Sequence, residues 1–456
     1  MPDMCLNRSI ERMADRIAAV LNGDVHSIWL YGSVVLDDFR PGWSDIDLLV
    51  LTNHRITDDQ ARELVALRQT MTEAEPDNPY YRVFEGIIAE KAEYLAGSFT
   101  RLVYWGTTGQ RITDSFRMDA FSAYELAKYG KSVFGGDDRG IFVPPSAGEM
   151  TEAVRQHYEA IRKYAVRTDE KLYSCGWLLD IARCVFTLRD HDVMAKTQAG
   201  IRALSEHIFP DEAPLKRAVE IRQNPMAYRG RDDVKQWLKE LGPAVQRYAD
   251  VLERELYCAD PCRASSLSYR KTKRVVIPEH MSVLREDQFD AAQCRGTDEP
   301  YFKMVHRLSE IPCPDLPAPF AVVRAGAPEF ARHIGECYTD ECITADELDD
   351  CARDPGLWLA VADTANGRIV ASGIADIDPD IGEGSLEWIQ VSPDYRRRGL
   401  GRYIVCELLR RMSGKARFAT VSGKLNNPDH PLELYWSCGF TDCATWHVIR
   451  NSGPAR

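Results

Sequence analysis

The sequence has no CxxC pair, no internal repeat, no low-complexity tract and no stretch approaching the ~20 uncharged apolar residues of a membrane helix. The missing CxxC, with only Cys258/Cys262 near metal-ligand spacing and no second such pair or close His pair, argues against a structural zinc site. The 13 cysteines are then expected as free thiols in a reducing compartment. The start, Met1-Pro2-Asp3, lacks a basic-then-apolar signal region, so the expectation is a cytoplasmic protein with no membrane partner. Basic charge is also short: the formal net charge is −12, which speaks against a nucleic-acid partner and suits cationic small molecules. Plain solubility is the competing reading of that charge.

What is present is ordinary globular composition, 45% hydrophobic and 28% charged over 456 residues, enough for roughly three domains. Residues 1–147 alternate between helical and strand patterns, with strands expected at Ser27–Tyr31, Ile46–Leu51, Arg82–Ala89 and Thr100–Trp105. Residues 148–257 carry helical spacing throughout and read as a helical bundle, including one helix from Val234 to Leu252. Residues 258–275, with the basic run Arg270–Arg274, read as a linker, and 276–456 return to α/β alternation. The fold class expected is α/β multidomain.

The most informative stretch is Gly32-Ser33 followed by Ser44-Asp45-Ile46-Asp47-Leu48. In a strand, residues i and i+2 share a face, so Asp45 and Asp47 project together while Ile46 and Leu48 face the core. Two carboxylates ~5 Å apart repel by a few kcal/mol at an effective dielectric near 20 and call for a cation. Mg²⁺ takes one or two carboxylates plus substrate phosphates. Gly32 and Ser33, expected where a strand turns into a helix, can offer amides and a hydroxyl to phosphate oxygens. Glu85, on the next apolar strand, can complete the metal set or take a proton from an attacking hydroxyl.

This combination resembles the DNA polymerase β-like nucleotidyltransferases. Within them, residues 5–257 look like the aminoglycoside adenylyltransferases that modify streptomycin and spectinomycin, with Trp177–Arg183 and Lys196-Thr197 in the family's style. The resemblance implies a nucleotidyltransferase domain over 1–147 and a helical substrate-binding domain over 148–257. It implies Asp45, Asp47 and Glu85 at Mg²⁺, Ser33 and Lys196 on the triphosphate of ATP, Glu85 as the catalytic base, and Asp180 or Trp105 along the acceptor cleft.

A second constellation is the strand Leu386–Val391, then Ser392-Pro393 and Arg396-Arg397-Arg398-Gly399-Leu400-Gly401, then a helix through Met412. Glycines let amides approach an anion at a helix N-terminus, and arginines add charge for phosphates. With Tyr435-x-x-x-Gly439-Phe440, this resembles the GNAT N-acetyltransferases, over about 318–450, with 276–317 as an added N-terminal element. The resemblance implies acetyl-CoA as cofactor, Val391 backbone groups along its pantetheine arm and Arg396 to Gly401 around its pyrophosphate. Tyr435 would protonate the leaving thiolate. Glu387, on the same strand face as Ile389 and Val391, is the candidate base. The function expected is a bifunctional small-molecule modifying enzyme, with AMP transferred from ATP to a hydroxyl of an aminoglycoside-like acceptor and acetyl transferred to an amine, as in antibiotic resistance. The alternative is a protein-modifying enzyme of a regulatory or toxin–antitoxin system.

Overall fold

The computed structural model describes residues 4–106, 109–263, 280–338, 343–351 and 354–450. It divides into two compact units, Met1–Leu256 and Tyr257–Arg456. The expected α/β and helical parts both lie in the first. Of the expected linker, Cys258 and Ala259 belong to a helix and Pro261–Arg263 to a short 3-10 turn. The rest of it described above as a basic run, and Met1-Pro2-Asp3, lie outside the described residues.

In the first unit, α1 (Met4–Val20) precedes β1 (Val25–Tyr31), β2 (Ile46–Thr52), α2 (Asp58–Ala74), β3 (Phe84–Glu90), α3 (Lys91–Ala96), β4 (Leu102–Gly106), β5 (Gly109–Thr113), α4 (Ala120–Tyr129) and β6 (Lys131–Gly135). The sheet order is β5-β4-β3-β2-β1-β6, with β2 and β3 parallel. Two-residue alternation sends Ile46, Leu48 and Val50 into one core with α1 and α2, and Leu49 and Leu51 into another with Trp29 and Tyr31. A capping box between Thr57 and Gln60 starts α2, satisfying amides that the helix leaves open.

The helical layer is α5 (Ala147–Tyr164), α6 (Tyr173–Asp190), α7 (Lys196–Ser205), α8 (Ala213–Gln223), α9 (Pro225–Tyr228), α10 (Asp232–Lys239) and α11 (Gly242–Ala259). The single helix expected over Val234–Leu252 is therefore two. Pro243 has no amide to continue a helix and is tolerated only in a first turn, which is where α11 places it. A buried carboxylate fastens this layer to the loop after β1: Asp38 Oδ2 accepts from Arg222 Nη2 at 3.0 Å and from the Thr197 amide at 3.2 Å. That second bond fixes the start of α7, and with it Lys196.

The second unit contains β7 (Met281–Arg285), β8 (Thr297–His306), β9 (Phe320–Val323), α12 (Ala327–Cys337), α13 (Ala345–Cys351), β10 (Trp358–Asp363), β11 (Ile369–Asp378), β12 (Glu383–Val391), α14 (Leu400–Met412), β13 (Phe418–Lys424), α15 (Pro431–Ser437) and β14 (Thr441–Arg450). Its sheet runs β7-β14-β8-β13-β12-β11-β10-β9. The described part of the stretch before residue 318 contributes β8, which sits inside the sheet between β13 and β14. β12 and β13 run parallel and pair only over Glu383–Ser385 and Phe418–Thr420, then part.

Buried side chains brace that short pairing. Lys303 Nζ donates to Tyr257 Oη at 2.8 Å, Tyr257 Oη donates to Glu383 Oε1 at 3.0 Å, and Thr420 Oγ1 donates to the same carboxylate. Tyr257→Phe removes the central hydroxyl and leaves two buried charged groups each one hydrogen bond short. Urea denaturation should show a loss of about 1.5–3 kcal/mol, the range for bonds to charged groups. An unchanged midpoint would contradict the role given to Tyr257.

Candidate active sites

In the first unit, β1 ends at Tyr31 and the chain turns at Gly32, whose φ is +69°. A Cβ on Gly32 would overlap the Asp47 carboxylate, so only glycine fits both the left-handed turn and this close approach. The segment after β1 is a three-residue 3-10 turn, Gly32–Val34, and not the start of an α-helix as the sequence suggested. Ser33 Oγ instead donates to the Asp45 carbonyl at 3.3 Å, tying the turn to the acidic strand.

The register of β2 and β3 sets Asp47 directly beside Glu85. Burial, then the charges of Glu125, Asp45, Glu85 and Asp119, push the Asp47 carboxyl well above its usual range. Burial and the Asp45 charge raise Glu85 to about 7, against the pull of Arg68. Asp45 is also raised by burial, and Arg68 and Lys196 partly offset this. Arg68 is held under the site by the carbonyls of Phe84 at 2.6 Å and Gly106 at 3.3 Å. Lys196 Nζ pairs with Asp180 Oδ1 at 2.7 Å. Gly32, Ser33, Asp45, Asp47, Glu85 and Lys196 are thus gathered into one corner. Trp105 is not among them: it is a core residue whose Nε1 donates to the Leu64 carbonyl.

Among the described residues, no group of three or more His, Cys, Asp or Glu is arranged to hold a metal ion by itself. The donor set still suits Mg²⁺. Its oxygens are hard, their charges are mutually unfavourable, and Mg²⁺ commonly takes one or two carboxylates with phosphates and water supplying the rest.

In the second unit, Trp388 has φ +47° and the pairing of β12 with β11 shifts between Ser372/Gln390 and Ile374/Glu387. This is a bulge, and it breaks the two-residue alternation. Leu386, Ile389 and Val391 face the core under α14, whereas Ile374, which Glu387 pairs with, and Trp388 lie in the core under α12. Glu387 therefore does not share a face with Ile389 and Val391, correcting the expectation. Ser385 Oγ donates to it at 3.3 Å.

Gly399 caps α14 with φ +83°, and the open amides of the first helical turn follow it. Gly401 is an ordinary helical residue, where a Cβ would meet Leu434 and Val391 side chains and incur no left-handed strain. Arg396 is turned away from the role of a free phosphate ligand. Its Nε donates to the Val391 carbonyl at 3.1 Å and its Nη1 pairs with Asp429 at 2.5 Å. The Val391 carbonyl is correspondingly occupied. Arg397 and Arg398 are exposed, and Arg398 lies over the Tyr395 ring. Tyr435 packs in the core against Phe302 and Phe440, and burial pushes its hydroxyl well above the ordinary tyrosine range.

Residues 11–92 match the family model of a nucleotidyltransferase domain. Residues 353–442 match that of an acetyltransferase (GNAT) domain. The chain is a transferase carrying both domains. No curated protein matches it. Among solved structures it is similar to spectinomycin adenyltransferase AAD(9) from Enterococcus faecialis, solved with ATP and spectinomycin, at 17% identity and TM-score 0.37, covering 53% of this chain and 97% of that one. It is also similar to a GCN5-related N-acetyltransferase from Sphaerobacter thermophilus, at 17% identity and TM-score 0.31, covering 50% and 72%. A Drosophila protein matches at 18% identity and TM-score 0.29, covering 41% of this chain and 60% of that one's length.

The nucleotidyltransferase domain's corner includes residues that no motif marked. Arg68 and Glu125 lie on helices, where a charged residue reads as a solvated face. Glu85 supplies a test of the corner's electrostatics. Its folded pKa lies above its unfolded one, so the penalty is absent below about pH 4.5 and complete above about pH 7. In chelator, the wild-type chain should lose stability across that window as pH rises, and Glu85→Gln should lose less. Thermal melts between about pH 5 and 7.5 check this, and equal pH dependence in both proteins would contradict it.

Proposed function

We propose that the nucleotidyltransferase domain moves AMP from ATP to a hydroxyl of a cationic, aminoglycoside-like small molecule, and that the GNAT domain moves acetyl from acetyl-CoA to an amine. The corner in which Asp47 lies beside Glu85 carries the first half. Ser33 and Lys196 would bind the triphosphate, and Asp45 and Asp47 would hold Mg²⁺ with it. When bound, Mg²⁺ neutralises charge on the phosphate oxygens. Glu85 takes the proton of the acceptor hydroxyl, the oxygen bonds to the α-phosphorus, and pyrophosphate leaves. An acidity near neutrality suits a general base. The surrounding carboxylates favour a cationic acceptor, as does the net charge of −12.

For the GNAT domain, the parting of β12 and β13 beyond Ser385 leaves a strand edge free for the pantetheine arm. The first-turn amides of α14, with Arg397 and Arg398, receive the pyrophosphate, and Arg396 braces the loop. Glu387 is the base for the amine. Tyr435, kept protonated by burial, gives its proton to the leaving thiolate.

The test is a mass-shift screen of aminoglycosides and aminocyclitols with ATP and Mg²⁺ and, separately, with acetyl-CoA. Asp47→Asn should abolish nucleotide transfer and spare acetyl transfer, and Glu85→Gln should slow nucleotide transfer by about 10²-fold or more. Gly399→Val forces a branched residue to a left-handed dihedral and should remove acetyl-CoA binding while sparing ATP binding. Loss of both activities in any one folded variant would contradict two separate sites.

A further inference from the structure

The donors that face the proposed triphosphate site are already engaged by carboxylates of the chain itself. The Gly32 amide hydrogen-bonds toward Glu125 on α4. Lys196 Nζ is held by Asp180 on α6 at 2.7 Å. One guanidinium joins the two acids: Arg183 Nη1 lies 3.1 Å from Glu125 Oε1, and its Nη2 lies 3.9 Å from Asp180 Oδ1. Arg183 is itself packed against the Phe121 ring, 4.6 Å from its centroid. All three charged side chains are largely withdrawn from solvent, exposed by 6%, 16% and 12% for Glu125, Asp180 and Arg183.

These contacts have a direct consequence for any ligand of the Gly32–Ser33 turn. A triphosphate must approach the Gly32 amide against the buried charge of Glu125, and must share Lys196 with Asp180. Charges repel strongly where water is excluded, and a surface counterion cannot screen them. Arg183 cannot relieve both acids, because its own charge is already divided between them. A cation that arrives with the phosphates can.

We propose that Glu125 and Asp180, joined through Arg183, are positioning residues that make nucleotide binding depend on a divalent cation. The inference rests on the nucleotidyltransferase reading of this corner. Glu125 holds the turn in place while the site is empty and repels a bare triphosphate. Asp180 holds Lys196 extended toward the site and releases it in proportion to the phosphate charge that arrives.

The experiment is calorimetric titration of the full chain with ATP, in Mg²⁺ and in chelator. In the wild-type protein, chelation should weaken binding by at least tenfold. Glu125→Gln keeps shape and hydrogen bonding but removes the charge, and it should cut that ratio by about tenfold, mainly by improving metal-free binding. Glu125→Asp retains the charge and should retain most of the wild-type ratio. Asp180→Asn frees Lys196 and should tighten metal-free ATP binding by several-fold. A residue with only a structural part would instead lower both affinities together and leave the ratio unchanged, and that result overturns the inference. If Glu125→Gln fails to fold, the Asp180→Asn ratio decides the matter in the same way. If wild-type protein binds no ATP under either condition, the nucleotidyltransferase assignment of the corner falls, and this inference with it. Metal-dependent binding in wild type with an unaltered ratio in both variants overturns the inference alone.

Discussion

Asp47 and Glu85 stand side by side on neighbouring parallel strands, in a part of the sheet that is withdrawn from water. Ionised together, they destabilise the fold unless positive charge is brought to them. Much of the first unit is arranged around that constraint. Gly32 gives up its side chain so that the Asp47 carboxylate can lie against the turn. Arg68 reaches from α2 to the strand end beneath Glu85, held by two carbonyls. Lys196 comes from the helical layer, and it is placed there because Asp38 binds both Arg222 and the Thr197 amide in the first turn of α7. The helical layer is therefore part of the electrostatics of the corner as well as its neighbour. The balance remains short of positive charge: burial raises all three carboxyls, and neighbouring acids add to the rise at Asp47 and Glu85.

The second unit meets a related demand by a different route. Its proposed ligand also carries phosphates, and the donors proposed for it are backbone amides at the start of α14. The strand edge opposite β13 is freed by the early end of pairing after Ser385, and the network of Lys303, Tyr257, Glu383 and Thr420 holds the point where the strands part. Arg396 stiffens the loop from within by spanning the Val391 carbonyl and Asp429. The result is a rigid cradle with its charged arginines, Arg397 and Arg398, on the outer side.

The two sites were legible in the sequence to different depths. The pairing of Asp47 with Glu85 was partly legible because an acid inside an apolar strand run stands out locally, whereas Asp45 falls just before β2 and outside its alternation. Gly399 before α14 was readable for the same reason, as a turn signal between a strand and a helix. The bulge at Trp388 was not, because a tryptophan at positive φ has no sequence signature, and it moved Glu387 to the other face. The place of β8 inside the sheet was hidden because its pairing with β13 joins residues more than a hundred positions apart. Glu125 and Arg222 were missed because a helical charge looks the same whether it faces water or a partner 58 or 184 residues away.

The central claim is that one chain holds two separate anion-binding transferase sites, each complete in its own unit. Its most direct test is binding competition on the intact protein: titrate ATP with Mg²⁺ into protein already saturated with acetyl-CoA, then reverse the order. The account predicts that each ligand binds once, and with the same affinity whether or not the other is present. Displacement of one ligand by the other, or binding of only one of them, would contradict it.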